Sequence, residues 1–281
     1  TRDDIVNVGL SVGLDHESRE SPDSVADEIS LSEIYRNEGR ISYRHNFNRI
    51  FATVGASAGH FDYENDDVDQ DIRDYARYTT ALRIGYQISP RFNVFGSGEY
   101  NWVTYDDEDA DRDSEGFALR VGSGIDISGL LFGEVAVGYR QQTYDSDLFD
   151  DVNGIGAGGR LTWNITPLTS LIFSLSADVL ETTVAFEGEV ASSDFQKRGT
   201  VDVQHELLRN VILTGGLGYV RDDFEGTSRS DDSFIAQLGA TYLINRNFSV
   251  DAEYNFTKRM SDDNDEEYLR NVIRIGLTAR L

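Results

Sequence analysis

Tyr242-Leu243-Ile244-Asn245-Arg246-Asn247-Phe248-Ser249-Val250-Asp251-Ala252-Glu253-Tyr254-Asn255-Phe256 is the stretch that decides the fold of this chain. A tight turn, Asn245-Arg246-Asn247, leads into strict alternation. Phe248, Val250, Ala252, Tyr254 and Phe256 fall on one side, Asp251, Glu253 and Asn255 on the other. Period two marks a strand whose two faces meet different surroundings. The same kind of turn recurs at Asn48-Arg49, Ser89-Pro90-Arg91, Ser128-Gly129, Thr166-Pro167-Leu168 and Leu208-Arg209-Asn210, each between two long alternating runs. The opposite ends of these runs meet in longer loops crowded with Asp and Glu. Short turns on one side, long polar loops on the other and strands of this length describe an all-β fold, a transmembrane antiparallel up-and-down β-barrel of the outer-membrane type.

The period-two reading predicts about 14 strands in a single barrel domain over residues 1–281: 4–15, 33–47, 49–63, 74–88, 92–105, 115–127, 131–144, 153–165, 169–182, 194–207, 211–224, 232–244, 248–259 and 268–281. An even count puts both termini on the short-turn side. In the last segment Leu269, Asn271, Ile273, Ile275, Leu277, Ala279 and Leu281 share a face, backed by Arg270, Arg274, Thr278 and Arg280. Phe117, Leu119, Val121, Ile125 and Ile127 are expected outside, and Arg120 and Asp126 inside. Val135, Val137 and Tyr139 are expected outside, with Glu134, Arg140 and Gln142 inside. Segment 49–63 leaves its face open, because Ile50, Val54 and Ala56 compete with Phe51, Phe61 and Tyr63. Tyr86, Tyr100, Trp102, Tyr139, Trp163, Tyr219, Tyr242 and Tyr254 are placed as an outward aromatic girdle near strand ends. A soluble β-core would instead bury one coherent apolar interior. A repeat of roughly 40 residues also raises a β-propeller, but a blade needs four short strands where each unit here has two long ones.

Composition agrees. The 281 residues hold no Cys, three Pro and 39% hydrophobic residues, low for a protein built on a large packed core. No apolar run approaches the roughly 18 residues of a membrane helix. No secretory signal peptide is visible at Thr1, so a mature or trimmed chain is expected. A net charge of −25 argues against nucleic acid as a partner, since phosphate neutralisation needs Lys and Arg. The acids cluster in 64–74, 106–115, 145–151, 222–232 and 261–267, read as solvated loops. Asp107, Asp109, Asp111 and Asp113 alternate, but the Gly and the closing Glu of an EF-hand loop are absent.

The predicted pore lining comprises Arg40, Arg44, Arg83, Arg120, Arg140, Arg160 and Arg274 with Glu99, Asp126, Glu134, Asp202, Asp251 and Glu253. Arg36, Arg77, Arg198, Arg270, Arg280, Asp178 and Glu206 are expected on the same face. Closing the sheet would bring strands 2 and 14 together through strand 1, so that an Arg-rich wall faces the acid-bearing strands 9 and 10. Opposed charged walls create a transverse field that filters ions; alternatively they form salt bridges that solvate the lumen. Catalytic constellations, cofactor sites and metal sites are unsupported. His16, His45, His60 and His205 lie on separate segments, there is no Cys, and no nucleophile elbow occurs. His205-Glu206 reads as turn chemistry. The terminal Arg274-Ile275-Gly276-Leu277-Thr278-Ala279-Arg280-Leu281 resembles the C-terminal signal read by the barrel assembly machinery, with Leu281 where an aromatic is usual.

Further stretches carry a family likeness: Tyr105-Asp106, Arg112-Asp113-Ser114-Glu115-Gly116-Phe117, Gly138-Tyr139-Arg140-Gln141-Gln142-Thr143-Tyr144, Leu161-Thr162-Trp163, His205-Glu206 with Arg209-Asn210, and Tyr242-Leu243-Ile244-Asn245-Arg246-Asn247-Phe248. In their order and spacing the chain resembles the putative β-barrel porin 2 family of Gram-negative outer-membrane proteins. The resemblance implies a porin-like barrel, often associated with exopolysaccharide or capsule secretion, and carries over no catalytic residues. Family members tend to have further N-terminal strands, which would make a barrel of about 16–18 strands if earlier residues are missing. The expected function is an outer-membrane channel, the outer conduit for a polysaccharide leaving the periplasm. The alternatives are a general diffusion porin, a closed adhesive barrel whose acidic loops bind cations, and last an outer-membrane hydrolase. Expected partners are outer-membrane lipid and lipopolysaccharide, the barrel assembly machinery and a periplasmic polysaccharide-export protein.

Overall fold

The turn chemistry sets the architecture. At Ile127-Ser128-Gly129-Leu130 both central residues have positive φ, 56° and 70°, and Leu130 N donates to Ile127 O at 2.9 Å. Such a turn matches the right-handed twist of its flanking strands, and Gly129 takes the left-handed conformation without a Cβ penalty. Elsewhere a side chain closes the turn. Asn245 Oδ1 accepts from Asn247 N at 2.8 Å and Phe248 N at 3.0 Å. Ser89 Oγ accepts from Arg91 N, and Thr166 Oγ1 from Leu168 N. These are the local bonds that favour Asn, Ser and Thr at turns.

The computed structural model describes residues 3–17, 21, 23, 32–107 and 110–280. Asp109 and Leu281 lie outside the described residues. Sixteen antiparallel strands occur: β1 (Asp4–His16), β2 (Glu33–Phe47), β3 (Ile50–Glu64), β4 (Tyr75–Ser89), β5 (Phe92–Tyr105), β6 (Ser114–Ile127), β7 (Leu131–Tyr144), β8 (Val152–Thr166), β9 (Thr169–Leu180), β10 (Ala185–Phe186), β11 (Glu189–Val190), β12 (Ser193–Leu208), β13 (Val211–Glu225), β14 (Ser230–Leu243), β15 (Phe248–Ser261) and β16 (Tyr268–Ala279). Fourteen of them form one sheet in sequence order, and β10 and β11 form a small separate hairpin. The sequence-predicted bounds agree to within a residue or two, because alternation and turn residues are both local signals.

Register separates the faces. Arg83 on β4 reaches Glu134 on β7, which is possible only on a concave side where side chains converge. The opposite, convex face carries the exposed hydrophobics, among them Leu119, Val121, Val137, Leu217 and Ile275. This resolves the open face of β3. Ile50 and Val54 point outward and exposed, while Phe51 is buried inside with Phe61 and Tyr63 packed on an inner cluster. All eight predicted girdle residues are outward and exposed. On β4, Tyr78 and Tyr86 bracket the apolar band; eight residues span about 27 Å of strand, or roughly 20 Å of depth at a tilt near 40°. Tyr254 is the exception in position, since it sits midway along β15 and donates to Asn271.

Closure differs from the expected cylinder. β1 and β16 are the two edges of the sheet, and no ladder joins them among the described residues. Strands 2 and 14 of the sequence reading therefore do not meet through strand 1. A second break lies between β8 and β9, whose ladder covers only Gly159–Thr166 and Thr169–Leu175. Above it β9 stays paired with β12 but leans across the inner face of β8, where Gly154 leaves room for the Phe195 ring. Phe195 and Ala177 are thereby buried against Tyr144 and Val152.

Candidate functional site

The inner face is a layered polar wall. Phe51 lies flat over Gly85 and Phe95 over Gly122, where any Cβ would collide with the ring. The guanidinium of Arg44 sits 4.1 Å from the Phe51 centroid, and that of Arg83 sits 3.5 Å from Phe95. Stacking on an aromatic face fixes an arginine without neutralising it, and such a contact is worth about 0.5–2 kcal/mol. Arg83 also binds Glu134 through both oxygens, at 2.9 and 2.5 Å, and Glu134 faces Arg160 across the ladder. Higher up, Arg120 lies 3.5 Å from Glu99 and Arg140 lies 3.4 Å from Asp178. A recess of about 250 Å³ is lined there by Arg77, Glu99, Asn101, Arg140, Gln142 and Asp178.

Register places every residue of the predicted lining on this face. Two walls result. On β2–β8 the inward Arg36, Arg40, Arg44, Arg77, Arg83, Arg120, Arg140 and Arg160 outnumber Glu38, Glu99, Asp126 and Glu134. On β9–β16 the balance reverses: Asp178, Asp194, Asp202, Glu206, Asp222, Asp231, Asp251 and Glu253 face Arg198, Arg259, Arg270 and Arg274. The two walls meet where Arg140 on β7 lies 3.4 Å from Asp178 on β9, and just beyond the end of β9 Arg77 Nη2 meets Glu181 Oε1 at 2.6 Å. Fixed charges of opposite sign on facing walls act on whatever occupies the space between them.

Glu181 begins a segment that sequence reading missed. Residues 181–192, including the β10–β11 hairpin, form a strap folded inward at the long-loop end. Arg112, 3% exposed, donates to Thr182 O at 2.7 Å, Ala191 O at 3.1 Å and Ser192 O at 3.5 Å, clasping both ends of the strap. Glu181 also accepts from Tyr105 Oη at 2.9 Å, and Asp23 Oδ1 accepts from Thr182 Oγ1, Thr183 N and Thr183 Oγ1. Val184 and Ala191 pack on Phe224. The strap has little periodicity and its anchors are distant in sequence, so only the fold reveals it.

The acidic runs are not all solvated loops. Asp231, fully buried, binds Arg229 at 2.8 Å and lies 3.9 Å from Arg259. Burial beside these arginines nonetheless pushes the loop carboxyl of Glu266 up, against their attraction. In the β3–β4 loop, burial pushes Asp74 up to about 6, with Asp62, Asp71 and Asp106 adding to the effect and a bond from Tyr63 N opposing it. His205 Nδ1 pairs with Thr169 Oγ1 at 2.9 Å beside the short turn, which is turn chemistry. Among the described residues no group of three or more His, Asp or Glu is arranged to hold a metal ion.

The sequence model of the putative beta-barrel porin 2 family matches residues 1–281. No functionally curated protein matches the chain in sequence. Solved structures share its fold. The ferric citrate transporter FecA in its unliganded form is 12% identical, with a TM-score of 0.55 over 99% of this chain and 53% of its own. The FrpB iron transporter of Neisseria meningitidis is 8% identical, with a TM-score of 0.54 over 92% of this chain and 49% of its own. The alcaligin outer membrane receptor FauA of Bordetella pertussis is 11% identical, with a TM-score of 0.50 over 100% of this chain and 55% of its own. The chain thus spans about half the length of the solved structures it matches, and at these identities the likeness shows an outer-membrane β-barrel fold.

Proposed function

The chain belongs to the putative beta-barrel porin 2 family, and from that premise we propose that it is a passive outer-membrane conduit for a polysaccharide leaving the periplasm. The observation that carries this reading is the pair of opposed charged walls, with arginines held in place by aromatic rings rather than buried as ion pairs alone. A polymer with hydroxyl and carboxylate groups exchanges its water for such fixed donors and acceptors at many weak sites, which permits entry and exit alike. The strap narrows the outer end and must swing aside for a chain to pass. The family name and the barrel fold support transport, and the polar wall supports a hydrophilic cargo. In this reading the long loops lie at the cell surface of a Gram-negative bacterium, as they do in bacterial outer-membrane barrels.

Current block in planar bilayers tests the proposal. A uronic-acid polymer added on the short-turn side is expected to block the channel at far lower concentration than neutral dextran of equal size. Equal block by both would hand the reading to a general diffusion porin, and silence in the bilayer would favour the closed structural barrel.

A further inference from the structure

Of the inward arginines on β2–β8, Arg40 and Arg160 alone touch neither a carboxylate nor an aromatic ring among the described residues. Arg160 still faces Glu134 across the ladder, whereas Arg40 faces Gly9 and Ser57. The position of Arg40 is nonetheless set. A Cβ on Gly9 would stand 2.7 Å from Arg40 Nε, so the side chain lies across β1 in space that only glycine leaves. Arg40 lines a recess of about 410 Å³ on the inner face of β1–β4, within the roughly 300–1,000 Å³ of small-molecule sites. Ser11, Glu38, Ser57, Thr79 and the Phe61 ring share that lining. Among the described residues, none of Ser11, Glu38, Ser57 and Thr79 makes a side-chain hydrogen bond or ion pair.

The inner face of β1–β4 bears Arg36, Arg40, Arg44, Arg77 and Arg83 against Asp15 and Glu38. Asp15 is engaged by Arg36, while Glu134 and Glu181, which reach in from beyond these strands, are engaged by Arg83 and Arg77. Arg44 lies on Phe51 and donates to Asn46. An open guanidinium and an open carboxylate are left two residues apart on one strand face, roughly 7 Å. The guanidinium fork fits a carboxylate through two parallel bonds, and a carboxylate accepts from hydroxyls. Glu38 disfavours a bare anion beside Arg40; a ligand that brings hydroxyls as well as an acid satisfies both groups. We propose that the recess binds one uronate residue of a polysaccharide, with Arg40 on its carboxylate, Glu38 and the three hydroxyls on its ring oxygens, and Phe61 against its C–H surface. This deepens the conduit reading and rests on it.

The full chain, folded in detergent micelles, is titrated calorimetrically with tetragalacturonate, with its neutral methyl ester and with acetate, and the same preparation is reconstituted for planar-bilayer conductance. Tetragalacturonate is expected to bind at least about tenfold more tightly than the ester, and acetate at equal carboxylate concentration is expected not to displace it. R40Q is expected to lose at least about tenfold in affinity, and R40K, which keeps the charge without the planar fork, at least about fivefold. E38Q is expected to lose about threefold. The conservative R40K and E38Q keep the test decisive if R40Q does not fold. A conducting wild type with the heat-modifiable migration of a folded barrel that binds the ester equally, or releases tetragalacturonate to acetate, would overturn the site and leave the conduit reading standing. Unchanged affinity in R40K and E38Q would do the same, since a long-range field alone would then account for the binding. Binding with the expected losses in a protein that never conducts would sustain the site and overturn the conduit reading.

Discussion

Leu82 offers the sharpest test of the face assignment. It lies on β4, outward and 50% exposed, four residues from Tyr78 and four from Tyr86. Each ring is therefore about 14 Å away along the strand, or roughly 10 Å in depth, which sets Leu82 at the membrane midplane. Leu82→Arg places a guanidinium there with no partner and too far from either interface for full relief. The expected cost is about 2–4 kcal/mol, a shift of roughly 30- to 1,000-fold in the folding equilibrium. Ala81→Arg is the matched control. It shares strand and depth but faces inward, directly opposite Glu99, so its charge meets water and a carboxylate. Its expected cost is below about 1 kcal/mol. Urea titrations of refolding into vesicles give both values. Equal destabilisation, or a larger effect at Ala81, would show that the concave face is not the wet one.

Three further outcomes follow from the loop end. Arg112→Ala leaves the carbonyls of Thr182, Ala191 and Ser192 without their clasp, at a cost of about 1–3 kcal/mol, so the strap should open and single-channel conductance should rise; unchanged conductance would show that the strap does not obstruct the path. Asp74 has a folded pKa of about 6, above its ordinary 3.8, so its contribution to loop docking is complete below about pH 4 and is lost as pH rises through 6. Proteolysis of the β3–β4 loop should accordingly be faster at pH 7.5 than at pH 5, and Asp74→Asn should flatten the difference. Cysteines introduced at Asp147 should react with an impermeant reagent on intact cells while those at Ser89 and Asn245 do not; labelling of both sets would contradict the topology.

Much of the fold was legible because its determinants are local. Asn245 closes its own turn, and Val250 or Asp251 declares its face by parity alone. Segment 49–63 stayed open because Ile50 and Phe51 are both apolar, and only the cross-strand register shows that the Phe51 ring covers Gly85 inside. Non-local features were not readable. Arg112 sits in an acidic run that looks solvated, yet it is buried against a strap some 70 residues onward. The gap between β8 and β9 likewise depends on Phe195 settling on Gly154, a contact that neither segment announces. Charge followed the same divide: the inward Arg residues follow from parity, whereas which of them are stacked, paired or opposed follows from curvature.

The central claim, that the opposed charged walls line a water-filled path, is tested most directly by reversal potential in planar bilayers. In 1 M salt the Debye length is about 3 Å, so the acidic loops are screened and the lining decides selectivity. Neutralising Arg40, Arg83 and Arg120 together should move the reversal potential toward cations, and neutralising Asp251 and Glu253 should move it toward anions. A conducting channel whose selectivity ignores both sets would contradict the account.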